Sequence, residues 1–115
     1  MATREQLLAW GIRKTQTVEL GDGVSLTIRQ MNATELTEAK AEIKDLAGQP
    51  NENLILVAAI ICRSAINEDG TRIFSSDDMK TIAEEFSYER LEKLVEPVFR
   101  LNGILKEQSE QTEKN

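Results

Sequence analysis

Histidine is absent from this sequence. Its absence removes the side chain most often used for proton transfer near neutral pH and the commonest metal ligand. Cysteine occurs once, at Cys62, which excludes an internal disulfide and a cysteine-rich zinc site. The residues before Cys62 are apolar from Leu54 to Ile61. It therefore reads as a small buried hydrophobe, because a reactive thiolate needs a nearby cation or imidazole. Long apolar runs are also missing. The stretch Leu54 to Cys62 is about half the length of a membrane-spanning helix. Met1 to Gln6 carry no signal-peptide pattern. A cytosolic, reducing location is the expectation from these absences.

Positive charge is in deficit, with 14 basic against 20 acidic side chains and a formal net charge of −6. Nucleic-acid affinity comes from Lys and Arg neutralising phosphates, and anionic membranes attract the same residues. Both partners are disfavoured. A glycine-rich phosphate loop is lacking too: Gly21-Asp22-Gly23 is too short, and its central carboxylate would repel phosphate.

Paired catalytic carboxylates are not in evidence either. Asp77-Asp78 and Glu84-Glu85 are sequence neighbours, which on a helix lie about 100° apart rather than face to face. Solvated helix faces and cap positions account for them better. No serine sits in a nucleophile-elbow pattern. The acidic Asn67-Glu68-Asp69-Gly70 lacks the twelve-residue register of a calcium loop and reads as a turn. The chain is read as a non-enzyme, with no catalytic, cofactor-binding or metal-binding residues.

What is present suits one folded domain. A length of 115 residues, 40% hydrophobic and 30% charged, can build a core without disulfides or metals. Residues 3–13, with Leu7, Leu8 and Ile12 apolar and Trp10 before Gly11, predict a short helix or ordered arm. Residues 16–30 alternate: Val18 and Leu20, then Val24, Leu26 and Ile28 on one face. Period two on both sides of Gly21-Asp22-Gly23 predicts a hairpin.

Asn32 with Glu35 three places on predicts a capped helix to about Ala47. Leu36, Ala39, Ile43 and Leu46 form its apolar stripe, and the remainder faces solvent. Residues 52–66 have no polar face and predict a buried helix. Ile66 and Ile73-Phe74 flank the next turn, where a minimal hairpin fits. Ser75-Ser76-Asp77-Asp78 starts another helix, with Met79, Ile82, Ala83 and Phe86 as its stripe. Ser87 starts the last, which Pro97 kinks and Asn102-Gly103 closes.

The expected fold is α+β and mostly helical, an N-terminal β-hairpin followed by about four helices around a central apolar helix. Residues 1–105 form a single globular domain with an arm over 1–14, and the polar residues 106–115 are expected to be a disordered tail.

The order of these pieces resembles a known family. The pieces are Val24-Ser25-Leu26-Thr27-Ile28-Arg29, Asn32-Ala33-Thr34-Glu35, Asn67-Glu68-Asp69-Gly70-Thr71-Arg72-Ile73-Phe74, the Ser-Ser-Asp-Asp helix start, and Phe99-Arg100-Leu101-Asn102-Gly103. Together, over about residues 5–105, the chain resembles the tail assembly chaperones of long-tailed bacteriophages. Trp10 is a departure, since it lies in the arm and the family's tryptophan sits nearer the hairpin.

The resemblance implies a phage or prophage protein of the host cytoplasm, absent from the mature virion. Its partners would be the tape measure protein, kept soluble, and the tail tube protein, recruited around it. A longer form made by ribosomal frameshifting is also implied, and Glu113-Lys114-Asn115 can be encoded with a slippery heptamer. The partner-binding candidates are Leu7, Leu8 and Trp10 in the arm and Phe99 and Arg100 in the last helix. Completion of the core is the alternative for Phe99. A structural virion protein, a completion or connector subunit of the tail, is the alternative function.

Overall fold

The computed structural model describes residues 1–46 and 48–104. The polar tail expected at 106–115, the Glu113-Lys114-Asn115 tripeptide and the helix end expected at Ala47 lie outside the described residues.

The arm forms helix α1, Arg4–Trp10. Thr3 Oγ1 accepts from the Gln6 N–H at 3.1 Å, and Gln6 Oε1 accepts from the Thr3 N–H at 2.9 Å. This reciprocal cap satisfies two donors that a helix start leaves open. Gly11 ends the helix, and none of its residues is buried.

Strands β1 (Thr15–Gly21) and β2 (Val24–Arg29) make the expected antiparallel hairpin. Gly21, Asp22 and Gly23 all have positive φ, at 98°, 53° and 77°. Two glycines accept this freely, and Asp is among the few other residues that tolerate it. A register shift between Glu19 and Gly21 marks a bulge beside the turn.

The minimal hairpin expected at Ile66 is present as a single bridge, but the pairing of its first strand with β2 was not legible in the sequence. β3, Ala65–Ile66, pairs with Thr27 and Ile28 of β2, giving the order β1-β2-β3. Ile66 also bridges Arg72 across the turn that was expected there. Within it the Thr71 hydroxyl and N–H both donate to Asp69, which holds that carboxyl below its ordinary value.

Helix α2, Ala33–Glu42, carries the expected Asn32–Glu35 cap. It stops short of the expected end, and Lys44–Leu46 continues as a 3₁₀ turn. Helix α3, Glu52–Ser64, is the central apolar helix. One side, with Ala59 and Ile60, packs with Ile28, Ala39, Val98 and Phe99. The other, with Ala58, Ile61 and Cys62, packs with Ile82, Leu91 and Leu94. This double engagement explains why α3 has no polar face over most of its length.

A 3₁₀ turn at Ser76–Asp78 leads into α4, Met79–Glu85. The Asp78 carboxylate accepts from the Ser75 N–H at 2.8 Å, so aspartate as well as serine builds this start. Helix α5, Tyr88–Asn102, is capped by Ser87, whose hydroxyl accepts from the Arg90 N–H at 3.2 Å. It runs unbroken through the buried Pro97. At its end Gly103 adopts φ 67°, its N–H bonds Arg100 at 3.1 Å, and Ile104 bonds Phe99 at 3.0 Å. This left-handed closure satisfies carbonyls that a helix end leaves open.

Asn102 ties three elements together. Its carboxamide accepts from the Met31 N–H at 2.7 Å and donates to Ser64 Oγ at 3.2 Å and the Val98 carbonyl at 2.8 Å. The Asn-Gly ending is therefore a junction between the hairpin, α3 and α5. Among the described residues, no helix is long and apolar enough to cross a membrane.

Candidate functional site

Among the described residues three apolar surfaces remain uncovered: the arm, a groove at the turn end of the hairpin, and a groove of about 560 Å³ between α2, α3 and the end of α5. The first is the arm, where Leu7 is 54% exposed, Leu8 56%, Trp10 85% and Ile12 71%. A seven-residue helix is far below the length that is stable alone in water. Its caps and its root hold it. At the root, Arg13 meets Glu35 at 2.5 Å and the Lys14 N–H donates to Gln30 at 2.8 Å. Gln30 in turn donates to the Leu101 carbonyl at 2.9 Å. The arm thus projects from a fixed base with its large side chains in water.

The second surface is a groove of about 610 Å³ at the turn end of the hairpin. Leu20, Val24 and Leu26 line it from the sheet, Ile73 and Phe74 from the loop after β3, Phe86 from the link between α4 and α5, and Leu94 from α5. Its origin lies in one strand face. Along β2, Ile28 is buried, Leu26 half-buried and Val24 51% exposed. The apolar face of β2 therefore outruns the helices that cover it. Ile73 at the mouth is 42% exposed.

Charge at this groove differs from the chain as a whole. Arg90 and Lys93, one turn apart on α5, line it together with a single carboxylate, Glu85. Glu89, Glu92 and Glu96 of the same helix are exposed and do not line it. Arg90 also holds Asp22 of the hairpin turn at 2.9 Å, with both side chains largely in water.

Of the five residues expected to meet a partner, Leu7, Leu8 and Trp10 are exposed together in the arm. Arg100 is exposed and pairs with Glu96 one turn earlier. Phe99 lines a groove with Leu36, Leu56, Val57, Ile60 and Ile104. It is only 4% exposed and joins Ile28, Ala59 and Val98 in the core. The structure does not bring the arm and α5 candidates into one patch. Val24, Ile73, Phe74 and Phe86 of the groove were missed. The signal available for them was a strand face of three apolar residues with its last member beside the turn.

The carboxylates of α2 are not simply a wet face. Glu35, Glu38 and Glu42 form an i, i+3, i+7 row that meets three arginines. Arg72 lies 3.5 Å from Glu35 and 3.3 Å from Glu38. Arg63 lies 3.7 Å from Glu38 and pairs closely with Glu42. Arg63 is itself buried, at 4% exposure. Every carboxylate in this row has a guanidinium partner, so the row joins α2 to α3 and to the loop, a structural role.

Cys62 lies in the core. Burial, reinforced by the charges of Asp78 and Glu42, pushes its thiol up to about 11 from 9.0. Folding therefore favours the neutral thiol. That contribution is complete below pH 9 and is lost as pH rises from 9 towards about 11. At pH 8 the native protein is expected to resist a thiol reagent and to react fully once urea unfolds it, measured by absorbance of the released thiolate. Rapid labelling of native protein would contradict this burial.

The described residues contain no group of three or more His, Cys, Asp or Glu side chains placed to hold a metal ion. The geometry fits contact with another macromolecule.

No family model matches the chain, and no curated protein matches it. Among solved structures, one similar to this chain is described as the structure of the bacteriophage HK97 tail assembly chaperone. The match has a TM-score of 0.58 at 16% identity and covers 77% of this chain and 85% of the other. By its helices, its three-stranded antiparallel sheet and this match, the chain has the fold of a phage tail assembly chaperone.

Proposed function

We propose that this protein is a tail assembly chaperone that binds the tape measure protein, keeps its amphipathic helices soluble and helps recruit tail tube subunits. The observation that carries the proposal is the fold shared with the HK97 tail assembly chaperone. The exposed apolar arm and groove supply the means. Apolar surface of this kind, rimmed by charge, suits the apolar stripe of a client helix. A net charge of −6 keeps the complex of chaperone and client dispersed. In this role the protein acts in the cytoplasm of the host, from a phage or prophage gene cluster, and does not remain in the virion. A frameshifted longer form belongs to the same reading, and a slippery heptamer with an overlapping downstream frame would be its genetic signature.

The test is co-expression with the tape measure protein of the same gene cluster. Soluble client that co-purifies with this chain is expected. Insoluble client and no co-purification would reject the reading. Mass spectrometry of purified particles separates the alternative, since a completion or connector subunit would be found there in fixed stoichiometry.

Deleting residues 1–12 isolates the arm. None of the α1 side chains is buried, so the deletion is expected to change unfolding free energy by no more than about 0.5 kcal/mol. Recovery of soluble client is expected to fall. A large loss of stability in urea titration would show that the arm belongs to the core.

A further inference from the structure

We propose that the groove between β2, the Ile73-Phe74 loop and α5 seats an amphipathic client helix that carries acidic residues beside its apolar stripe. The inference deepens the chaperone reading, on which it rests, by assigning the contact surface and the chemistry of the segment it takes.

The first argument is geometric. Helices of the chain itself cover the apolar face of β2 at Ile28, where Ala59 and Val98 pack on it. Leu26 and Val24 continue the same face past the end of that cover. The groove is thus an unfilled continuation of a helix layer on a sheet. A helix placed there satisfies its own backbone and contributes only side chains. A volume of about 610 Å³ takes several of them. Phe74 and Phe86 line it, and aromatic side chains in pockets are typical anchors of a partner's apolar residues.

The second argument is charge. The chain carries −6 overall, yet α5 turns Arg90 and Lys93 to the groove and leaves Glu89, Glu92 and Glu96 off it. Within the lining Arg90 and Lys93 outnumber Glu85, and the Asp22 carboxylate that offsets Arg90 lies outside it, which favours carboxylates on the incoming helix. Arg90 is held by an exposed pair with Asp22, a kind of contact weak enough for a client carboxylate to replace.

The test uses the full chain and two synthetic two-heptad helices with the same leucine stripe, one flanked by Glu and one by Lys. The Glu-flanked peptide is expected to bind about three- to tenfold more tightly at low salt, the difference shrinking as salt screens it. Ile73→Asp, at an exposed rim position, is expected to weaken binding at least about tenfold while circular dichroism stays native. Lys93→Glu is expected to reverse the peptide preference. Gln49→Ala, at an exposed position outside both the arm and the groove lining, is expected to leave peptide binding unchanged.

Equal binding of the two peptides, full binding by folded Ile73→Asp, or equal binding of a proline-interrupted peptide that must stay extended would each overturn the assignment. The two levels also separate. If the client co-purifies but Ile73→Asp does not reduce it, the groove assignment fails and the chaperone reading stands. If the peptides bind as described but the client never co-purifies, the chaperone reading fails and the groove stands as a helix site.

Discussion

Ile61→Ala is expected to lower the unfolding free energy by about 3–5 kcal/mol, near the upper end for a single aliphatic truncation. Ile61 is fully buried, on the side of α3 that packs with Ile82, Leu91 and Leu94. Truncation removes apolar area from the core and leaves a cavity that helices on several sides cannot collapse to fill. For a domain of this size each kcal/mol corresponds to about 4–8 °C in melting temperature, so a fall of about 12–40 °C is expected. Thermal and urea unfolding followed by circular dichroism measure it. Ile12→Ala provides the contrast. Ile12 is 71% exposed, and the same class of truncation there is expected to stay within about 0.5 kcal/mol. Equal effects at the two positions would contradict the division into a packed core and a free arm.

At the arginine–glutamate row, Glu42→Gln is expected to destabilise the fold more than Arg63→Met, by a margin of about 1–2 kcal/mol. The asymmetry follows from burial. Arg63 is the buried member, at 4% side-chain exposure, whereas Glu42 is 21% and Glu38 50% exposed. Removing the Glu42 charge leaves a guanidinium in the interior with only Glu38 near it, at 3.7 Å. Its Nε has no hydrogen-bond partner even in the native arrangement. Breaking a buried pair in this way costs about 3 kcal/mol or more. Arg63→Met removes the buried charge itself and keeps an apolar stem. Of the carboxylates left behind, Glu38 is half exposed and keeps Arg72, and Glu42 keeps the Ser76 hydroxyl. Urea titrations of both variants at neutral pH measure the margin, and an Arg63→Met variant as unstable as Glu42→Gln would contradict it.

Local signals were legible where local chemistry decides the structure. Asn32 with Glu35, Ser87, and Gly103 after Asn102 each set a helix boundary through hydrogen bonds within a few residues. The hairpin followed from period two around Gly21-Asp22-Gly23. The α3 helix followed from an unbroken apolar run covered on two sides. The hairpin at Ile66 was legible from its turn, but the pairing of β3 with β2 was not, because two residues carry no period and their pairing with Thr27 and Ile28 is entirely tertiary. The early end of α2 was missed because the Leu36 to Leu46 stripe persists while the backbone tightens into a 3₁₀ turn.

For the candidate site, the arm was visible as an apolar segment without a partner, and Leu7, Leu8 and Trp10 are exposed there. The groove was not visible. An apolar residue reads the same in sequence whether or not a helix reaches far enough to cover it. Val98 and Phe74 illustrate the point, one in the core and the other lining an open groove. Arg63 shows the converse: a charge after an apolar run is buried because a row of carboxylates waits on the preceding helix.

The central claim is that this fold holds a client through apolar surface it leaves uncovered. Hydrogen–deuterium exchange of the chain, alone and co-purified with the tape measure protein, tests it most directly. Client-dependent protection is expected in residues 4–12 of the arm and at the groove, in segments 20–26, 73–74 and 86–94. Protection confined to the exposed acidic faces of α2 and α5, with arm and groove unchanged, would contradict the account.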